Sequence, residues 1–299
     1  MLSIIICSRN KVLSKEFTEN IKVTVSVDYE IVYIDNSENK YSIFAAYNLG
    51  ITQSKYPYLC FVHEDVFFHT SDWGEKVISH LQDTKTGIIG VAGSDLVTRI
   101  PASWANMISQ GHNIILTDNA REKPTEIILL PKNYNLSKRS SIILDGLFMC
   151  MRKDLTNKIH FDENLKGFHG YDYDISLQSI MAGYTNYVIY DIKLEHFSGG
   201  KTSILYFRNL ISIFKKWENN LPIIGDNVTL EERLEIPEIE RKKLYQLTKK
   251  MVRKGFGIEE IKTEVSYYAN MISFKKARQF LSIRIFLIRL FNCPKYLFK

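Results

Sequence analysis

Cysteine is scarce in this chain, and its four copies, Cys7, Cys60, Cys150 and Cys293, are far apart with no CxxC pair among them. That excludes a disulfide-stapled secreted domain and a zinc ribbon. Three of the four lie in apolar, strand-like runs, so they read as small core residues of a reduced, cytoplasmic protein. Long apolar runs are missing too: none reaches the roughly 18 residues of a spanning helix. The chain opens on Leu2–Cys7 with no basic segment before it, too short an apolar run for a secretion signal. No GxGxxG follows the first strand-like run, which argues against a dinucleotide-binding Rossmann enzyme. No GxxxxGK[ST] occurs, which argues against a P-loop. Repeats and low-complexity tracts are absent. With 45% hydrophobic and 24% charged residues in 299, what remains is an ordinary globular chain. It is long enough for one large domain or a domain with an appendage.

Charge is unevenly placed. Residues 1–200 hold 19 Lys/Arg against 23 Asp/Glu, while residues 201–299 hold 20 against 10, the excess lying from Arg241 onward. A basic tail on a mildly acidic body either meets an anionic surface or is a solvated helical face. The first half alternates β-rich and helical stretches. Ser3–Cys7, Glu30–Ile34, Tyr58–Val62 and Gly87–Ala92 read as strands, and Lys11–Ile21, Tyr41–Thr52 and Asp72–Thr84 as helices. That alternation predicts an α/β fold with a mostly parallel central sheet flanked by helices. Leu96–Ser141, with Pro101, Pro124 and Pro131, reads as an irregular insertion of hairpin character. Ile142–Arg152 returns to strand, Asp172–Ala182 to helix and Asn186–Asp191 to strand, and the chain beyond Gly225 is helical and highly charged.

Polar clusters end the first three predicted strands: Ser8-Arg9-Asn10, Asp35-Asn36-Ser37 and His63-Glu64-Asp65. In open α/β sheets ligands bind beyond the carboxyl ends of the strands, so these three clusters converge on one candidate site. Taken alone, His63-Glu64-Asp65 is either a solvated turn or the place where a metal or polyphosphate compensates costly charges. Without a P-loop, a divalent cation on Asp65 is the simplest way to neutralise bound phosphates. His196, after another apolar run, is either structural or a second metal ligand beside Asp65. Asp145 and Gly146, placed in the middle of the apolar run Ile142–Cys150, point to a substrate contact. Asp172 and Asp174 follow Gly167-Phe168-His169-Gly170 and enter a helix. One is explained by capping, and the other is a candidate general base with room for substrate at the glycines.

The order of these elements resembles the GT-A glycosyltransferases of the family-2-like branch. The matching pieces are Cys7-Ser8-Arg9-Asn10, Asp35-Asn36-Ser37, Asn48-Leu49-Gly50 and His63-Glu64-Asp65 in the place of a DxD motif. Leu144–Met149 then resembles the acceptor-side strand, and Gly170–Leu177 falls in the place of a Glu-Asp base motif. His-x-Asp, Gly-Val-Ala-Gly-Ser and Phe-His-Gly-Tyr-Asp together resemble a subfamily related to StrF-type proteins of streptomycin biosynthesis. The resemblance covers about residues 1–215 and implies a GT-A domain there, with a helical, basic region over 216–299. It implies a hexosyltransferase-like enzyme using a nucleotide-diphosphate sugar, Mn²⁺ or Mg²⁺, and inverting transfer to the hydroxyl of a carbohydrate or lipid-linked acceptor, as in polysaccharide biosynthesis. Donor contacts would come from Ser8, Arg9, Asp35, Asn48, His63 and Glu64, metal contacts from Asp65 and His196, and acceptor contacts from Asp145, Gly146 and His169. Asp172 would be the base and Asp174 its substitute. His63 stands where the family has the first Asp of DxD, and Tyr171 where it has the Glu of the base motif. A catalytically inactive nucleotide- or carbohydrate-binding protein is the alternative; a nucleotidyltransferase would carry a Gly-rich N-terminal loop that is missing here.

The last segment, Phe274–Asn292, winds into a basic helix with Lys275, Arg278, Ser282 and Arg289 on one face and aromatic and aliphatic residues largely opposite. It either lies in a membrane interface, which would make the protein peripheral at the cytoplasmic face, or packs on the body or on a second subunit of a homo-oligomer. The interleaved aromatic and basic platform of a single-strand binder is absent, so nucleic acid is not an expected partner.

Overall fold

The computed structural model describes residues 1–106, 110–116, 125–129, 137–197 and 203–274, of which 106, 110–116 and 125–129 are described by their backbone alone. The first half runs β1 (Leu2–Ser8), α1 (Lys15–Thr24), β2 (Tyr29–Asp35), α2 (Ile43–Gln53), β3 (Tyr58–Val62), β4 (Val66–Phe68), α3 (Trp73–Leu81) and β5 (Thr86–Gly90). Seven short strands follow: β6 (Ala92–Ser94), β7 (Leu96–Val97), β8 (Gln110–Leu116), β9 (Thr125–Leu129), β10 (Lys138–Ser141), β11 (Ile143–Leu144) and β12 (Phe148–Arg152). The remainder is α4 (Tyr171–Met181), β13 (Thr185–Ile189), β14 (Leu194–His196), α5 (Ile204–Lys216), β15 (Ile223–Ile224), α6 (Leu230–Arg253) and α7 (Ile258–Met271).

The central sheet has the order β10-β13-β5-β12-β3-β1-β2. Five of its strands point the same way, and only β10 and β12 run against them. Both faces are covered, which is why β1 is apolar almost throughout. Leu2, Ile4 and Ile6 pack with Phe17 and Ile21 of α1 and Trp73, Val77 and Leu81 of α3. Ile5 packs from the other face with Phe44 and Tyr47 of α2 and Tyr171 and Ile175 of α4. This is the expected helix-flanked α/β architecture. The segment read as an irregular insertion contains the antiparallel pair β8–β9, its hairpin character, within a second sheet ordered β11-β6-β8-β14-β4.

Three expectations change. Ile142–Arg152 is not one strand: it breaks at Asp145–Leu147, so Asp145 and Gly146 occupy a turn between β11 and β12 and not a strand interior. Helix α1 starts at Lys15, four residues later than predicted, because Ser14 caps it by accepting from the Phe17 N–H at 3.1 Å. Helix α5 escapes the sequence reading altogether, and it packs with Ile100, α6 and α7 through Phe207, Ile211, Leu244 and Tyr268. No helix among the described residues is long and apolar enough to cross a membrane. The predicted basic helix from residue 275 onward lies outside the described residues.

A close contact holds the broken strand in place. A Cβ on Gly93 of β6 would run into the Ile143 carbonyl of β11, and backbone cannot yield as a side-chain tip can. Gly93→Ala is expected to lower stability by about 1–3 kcal/mol, read as a drop in the urea midpoint at unchanged m-value.

Candidate active site

Strand register decides where the chemistry sits. Ser8 ends β1 opposite Asp35, which ends β2, and Phe61 of β3 lies level with Ile5, so His63 emerges at the same carboxyl edge. Strand β12 runs backwards and starts at Phe148 opposite Val62. That brings the Asp145–Leu147 turn to the same edge, where the His63 N–H donates to the Leu147 carbonyl at 3.0 Å. Strand β14 pairs antiparallel with β4, with His196 opposite Val66. His196 is therefore held beside Asp65, and the Phe197 N–H donates to the Asp65 carbonyl at 2.9 Å. His63 and Asp65 are neighbours in sequence, and His196, more than 130 residues on, reaches them through the β14–β4 register.

His63, Asp65 and His196 each present one ligand atom, and these atoms lie within 4.8 Å of one another. His63 Nδ1 is 3.9 Å and His196 Nε2 3.3 Å from the same carboxylate oxygen, Asp65 Oδ1. His196 Nε2 is buried, 3.3 Å from Asp65 Oδ1, and has no well-formed hydrogen bond. A buried, unsatisfied imidazole nitrogen aimed at a carboxylate and a second imidazole is a donor set suited to a divalent metal. Burial opposes ionisation of both Asp65 and His196, but their contact outweighs it: the Asp65 pKa is lowered and the His196 pKa raised. His63 is different, because burial and then the neighbouring His196 charge hold its pKa below the usual imidazole value. It remains the neutral member.

Next to this cluster opens a cavity of about 450 Å³, within the range of small-molecule sites. His63 lies on its wall. The turn contributes Asp145 and Gly146, the loop before α4 contributes Phe168 and His169, and α4 contributes Tyr171, Asp172 and Tyr173. Trp104 and, from α5, Tyr206 and Leu210 close it. Asp145 is oriented on both oxygens, accepting from the Leu147 N–H at 2.9 Å and from the Trp104 indole N–H at 2.8 Å. Gly146 must lack a side chain, since a Cβ there would run into the Tyr171 hydroxyl. The His169 ring stands edge-on to Tyr206 at 5.1 Å. Burial, then the charges of Arg9 and His63, depress its pKa.

The two aspartates of α4 part company. Asp172 is half-buried, faces the cavity, and has its pKa pushed up to about 7. Burial is the main cause and the Asp145 charge the next, outweighing the backbone N–H groups at the helix start and that of Gly146. Gly170, at φ 86°, caps α4 without a side chain, so neither aspartate is the N-cap. Asp174 turns away from the cavity. It is 1% exposed and accepts from the Trp217 indole N–H at 2.9 Å, the Gln178 amide at 2.8 Å and the Lys216 ammonium at 2.8 Å. It ties α4 to the end of α5 and does not stand in for Asp172.

On the donor side the predicted residues divide as well. Glu64 clasps the loop after β1: the Ser8 hydroxyl and the Asn10 amide both donate to its Oε2, the latter at 2.9 Å. Arg9 lies over the Phe168 ring at 4.7 Å, linking that loop to the cavity wall. Asp35 is exposed and accepts from the Ser37 N–H at 2.9 Å, which lowers its pKa. Asn48 does not join the site, because its amide donates to the Phe161 carbonyl and to Glu163, each at 2.8 Å, and its oxygen accepts from the Phe161 N–H. It anchors the loop after β12. Conversely, Trp104, Phe168, Tyr171 and Tyr206 belong to the site but were absent from the sequence-based set. A tryptophan, one of three in the chain, placed three residues after Pro101 was the one signal for Trp104.

A search of curated proteins returns no match. Among solved structures, the chain is similar to GalNAc-T7, crystallised with UDP, GalNAc and Mn²⁺: 11% identity over 78% of this chain and 53% of that one, TM-score 0.49. It is also similar to TarS of S. aureus at 13% identity, covering 82% of this chain and 43% of that one, TM-score 0.44. A third is A197 from STIV at 13% identity, covering 66% and 85%, TM-score 0.38. The chain thus spans about half the length of the GalNAc-T7 chain and less than half of TarS. The profile described as "Glycosyltransferase like family" matches residues 3–196, which include β1, the metal-suited cluster, the Asp145–Leu147 turn and Asp172. The chain belongs to the glycosyltransferase-like family.

Proposed function

We propose that this protein is a metal-assisted, inverting glycosyltransferase of GT-A type. It moves a hexose-like sugar from a nucleotide-diphosphate donor to the hydroxyl of a carbohydrate or lipid-linked acceptor, with residues 1–215 as the transferring unit. One observation carries the reading. A carboxyl group with its pKa near 7, Asp172, shares a cavity with His63, itself part of a cluster fit to hold a divalent cation. A base poised near neutrality beside an electrophile-activating site is what displacement at a sugar carbon requires.

In this reading the donor diphosphate lies at the carboxyl edge between the Ser8–Asn10 loop and His63, Asp65 and His196, with Arg9 alongside and Asp35 toward the nucleoside. Mn²⁺ or Mg²⁺ held by Asp65, His196 and His63 would neutralise charge on the departing diphosphate. Asp172 takes the proton of the acceptor hydroxyl, and the aromatic walls at Trp104, Phe168 and Tyr206 exclude water and hold the sugar rings. Asp145 keeps Asp172 basic and fixes Trp104. The new glycosidic bond forms as the bond to the diphosphate breaks.

The test is thermal denaturation with UDP- and GDP-sugars in the presence and absence of Mn²⁺, paired with release of the free nucleotide. Donor is expected to raise the melting temperature only with metal. Asp65→Ala is expected to remove the metal effect while leaving the metal-free melting temperature within about 2 °C, as the side chain is part exposed. Nucleotide binding indifferent to both metal and that substitution would overturn the metal assignment. Metal-dependent binding with no transfer or donor hydrolysis would leave a binding-only protein.

A further inference from the structure

Two substitutions set this chain apart from the pattern it resembles, a histidine at 63 and a tyrosine at 171, and in the folded protein they touch. The Tyr171 hydroxyl lies 2.7 Å from His63 Nε2 and 3.1 Å from the Gly146 carbonyl oxygen. A phenol has one proton to donate, and a carbonyl can only accept. Tyr171 is 4% exposed, and a phenol keeps its proton at neutral pH. Were that proton directed at His63, the Gly146 carbonyl would face a lone pair at close range with no donor, inside the fold. The arrangement that satisfies all three groups has the hydroxyl donating to Gly146 and accepting from His63 Nε2–H. A singly protonated His63 ring, the form that can ligate a metal, then carries its proton on Nε2, and its Nδ1 lone pair points toward Asp65 Oδ1, 3.9 Å away, an acceptor facing an acceptor. Two facing acceptors repel unless a cation lies between them.

We propose that Tyr171 is a positioning residue that locks the His63 tautomer and ring so that Nδ1, and not Nε2, is offered to the metal. The Gly146 carbonyl serves as the anchor of that relay. The relay explains why Gly146 must be glycine, since a Cβ would take the space the hydroxyl occupies. It also makes the two substitutions one device: a carboxylate at 63 would have no tautomer to fix, whereas an imidazole does. The ring of Tyr171 is held independently of its hydroxyl, edge-on to Phe44 at 6.4 Å and to Tyr47 at 5.3 Å. Removing the oxygen alone therefore leaves the packing intact.

The inference rests on the metal reading of the site, and the test separates the two. Mn²⁺ affinity is measured by electron paramagnetic resonance titration of wild type, Tyr171→Phe, His63→Asp and the double variant, all as the full chain. Tyr171→Phe is expected to weaken Mn²⁺ binding roughly 10–100-fold, the usual cost of losing such an outer partner. In the His63→Asp background the same change is expected to cost less than about 3-fold, because a carboxylate needs no tautomer. Nitrogen-15 spectra of histidine-labelled, metal-free protein are expected to show His63 protonated on Nε2 in wild type and a mixture of tautomers in Tyr171→Phe. Equal Mn²⁺ affinity of wild type and Tyr171→Phe, or an equal loss in both backgrounds, overturns the relay while leaving the metal site standing. Failure of wild type to bind Mn²⁺ at all overturns the metal reading itself.

Discussion

Asp172→Asn is expected to abolish sugar transfer, lowering kcat roughly 10³-fold, the scale of a lost general base, while metal-dependent donor binding stays near wild type. Because Asp172 must be ionised to take a proton and its pKa lies at about 7, kcat/KM for wild type is expected to rise tenfold per pH unit below about 7 and level off above it. Asp145 contributes to that elevated value through its charge, so Asp145→Asn is expected to move the midpoint to lower pH. A profile that is flat from pH 5 to 9, or an Asp172→Asn enzyme within tenfold of wild type, removes Asp172 from the chemistry.

The same carboxyl group makes a second prediction that needs no substrate. In the unfolded chain Asp172 titrates near the ordinary value of 3.8, against about 7 when folded. Below pH 4 both states are protonated and the group is neutral to stability. Between about 4 and 7 the unfolded chain releases a proton that the folded chain retains, so folding weakens as pH rises, and above 7 the loss is complete. Asp172→Asn removes that penalty. It is expected to be more stable than wild type at pH 8, on the order of 2–4 kcal/mol, and no more stable at pH 4. A variant that gains stability while losing activity is the signature of a residue kept for chemistry.

How much of this could be read without coordinates follows the range of the interactions. Strands β1, β2 and β3 were legible because their apolar runs are local, and their polar ends mark the sheet edge by a general rule of such folds. Asp65 and His196 could be named together as candidate metal ligands, with His63 on the donor side, but their meeting depends on β14 pairing with β4, a long-range register that no local pattern encodes. The turn at Asp145 was misplaced because Leu144 and Leu147 flank it with apolar side chains, so hydrophobicity masks the break. Asn48 misled for the opposite reason: its motif is right, yet its amide is taken by Phe161, 113 residues away. Phe168, Tyr171 and Tyr206 were invisible since phenylalanine and tyrosine, with 17 of each in the chain, carry no positional signal. Asp172 and Asp174 were indistinguishable in sequence. Two helical residues two apart point about 200° from each other, so one faces the cavity and the other faces α5.

That difference of direction predicts the reverse phenotype for the second aspartate. Asp174→Ala takes the acceptor from Trp217, Gln178 and Lys216 at once, in a site where Asp174 is 1% exposed. Lys216 retains Asp162 at 2.7 Å, which softens the loss, but the indole N–H is left without its partner and the join between α4 and α5 loosens. The expected cost is about 3 kcal/mol, at roughly 2–4 °C of melting temperature per kcal/mol for a chain of this size. Unlike Asp172→Asn, the folded fraction should keep the wild-type pH midpoint of transfer, because Asp172 and Asp145 are untouched. KM for the acceptor should rise instead, since α5 carries Tyr206 and Leu210 on the cavity wall. Lys216→Met sharpens the contrast: it leaves Asp174 in place with two neutral donors and no cation, so it should destabilise the fold while leaving the Trp217 and Gln178 hydrogen bonds in place. Were Asp174→Ala to fold with wild-type stability but lose transfer, with Asp172→Asn active, the roles of the two aspartates would have to be exchanged.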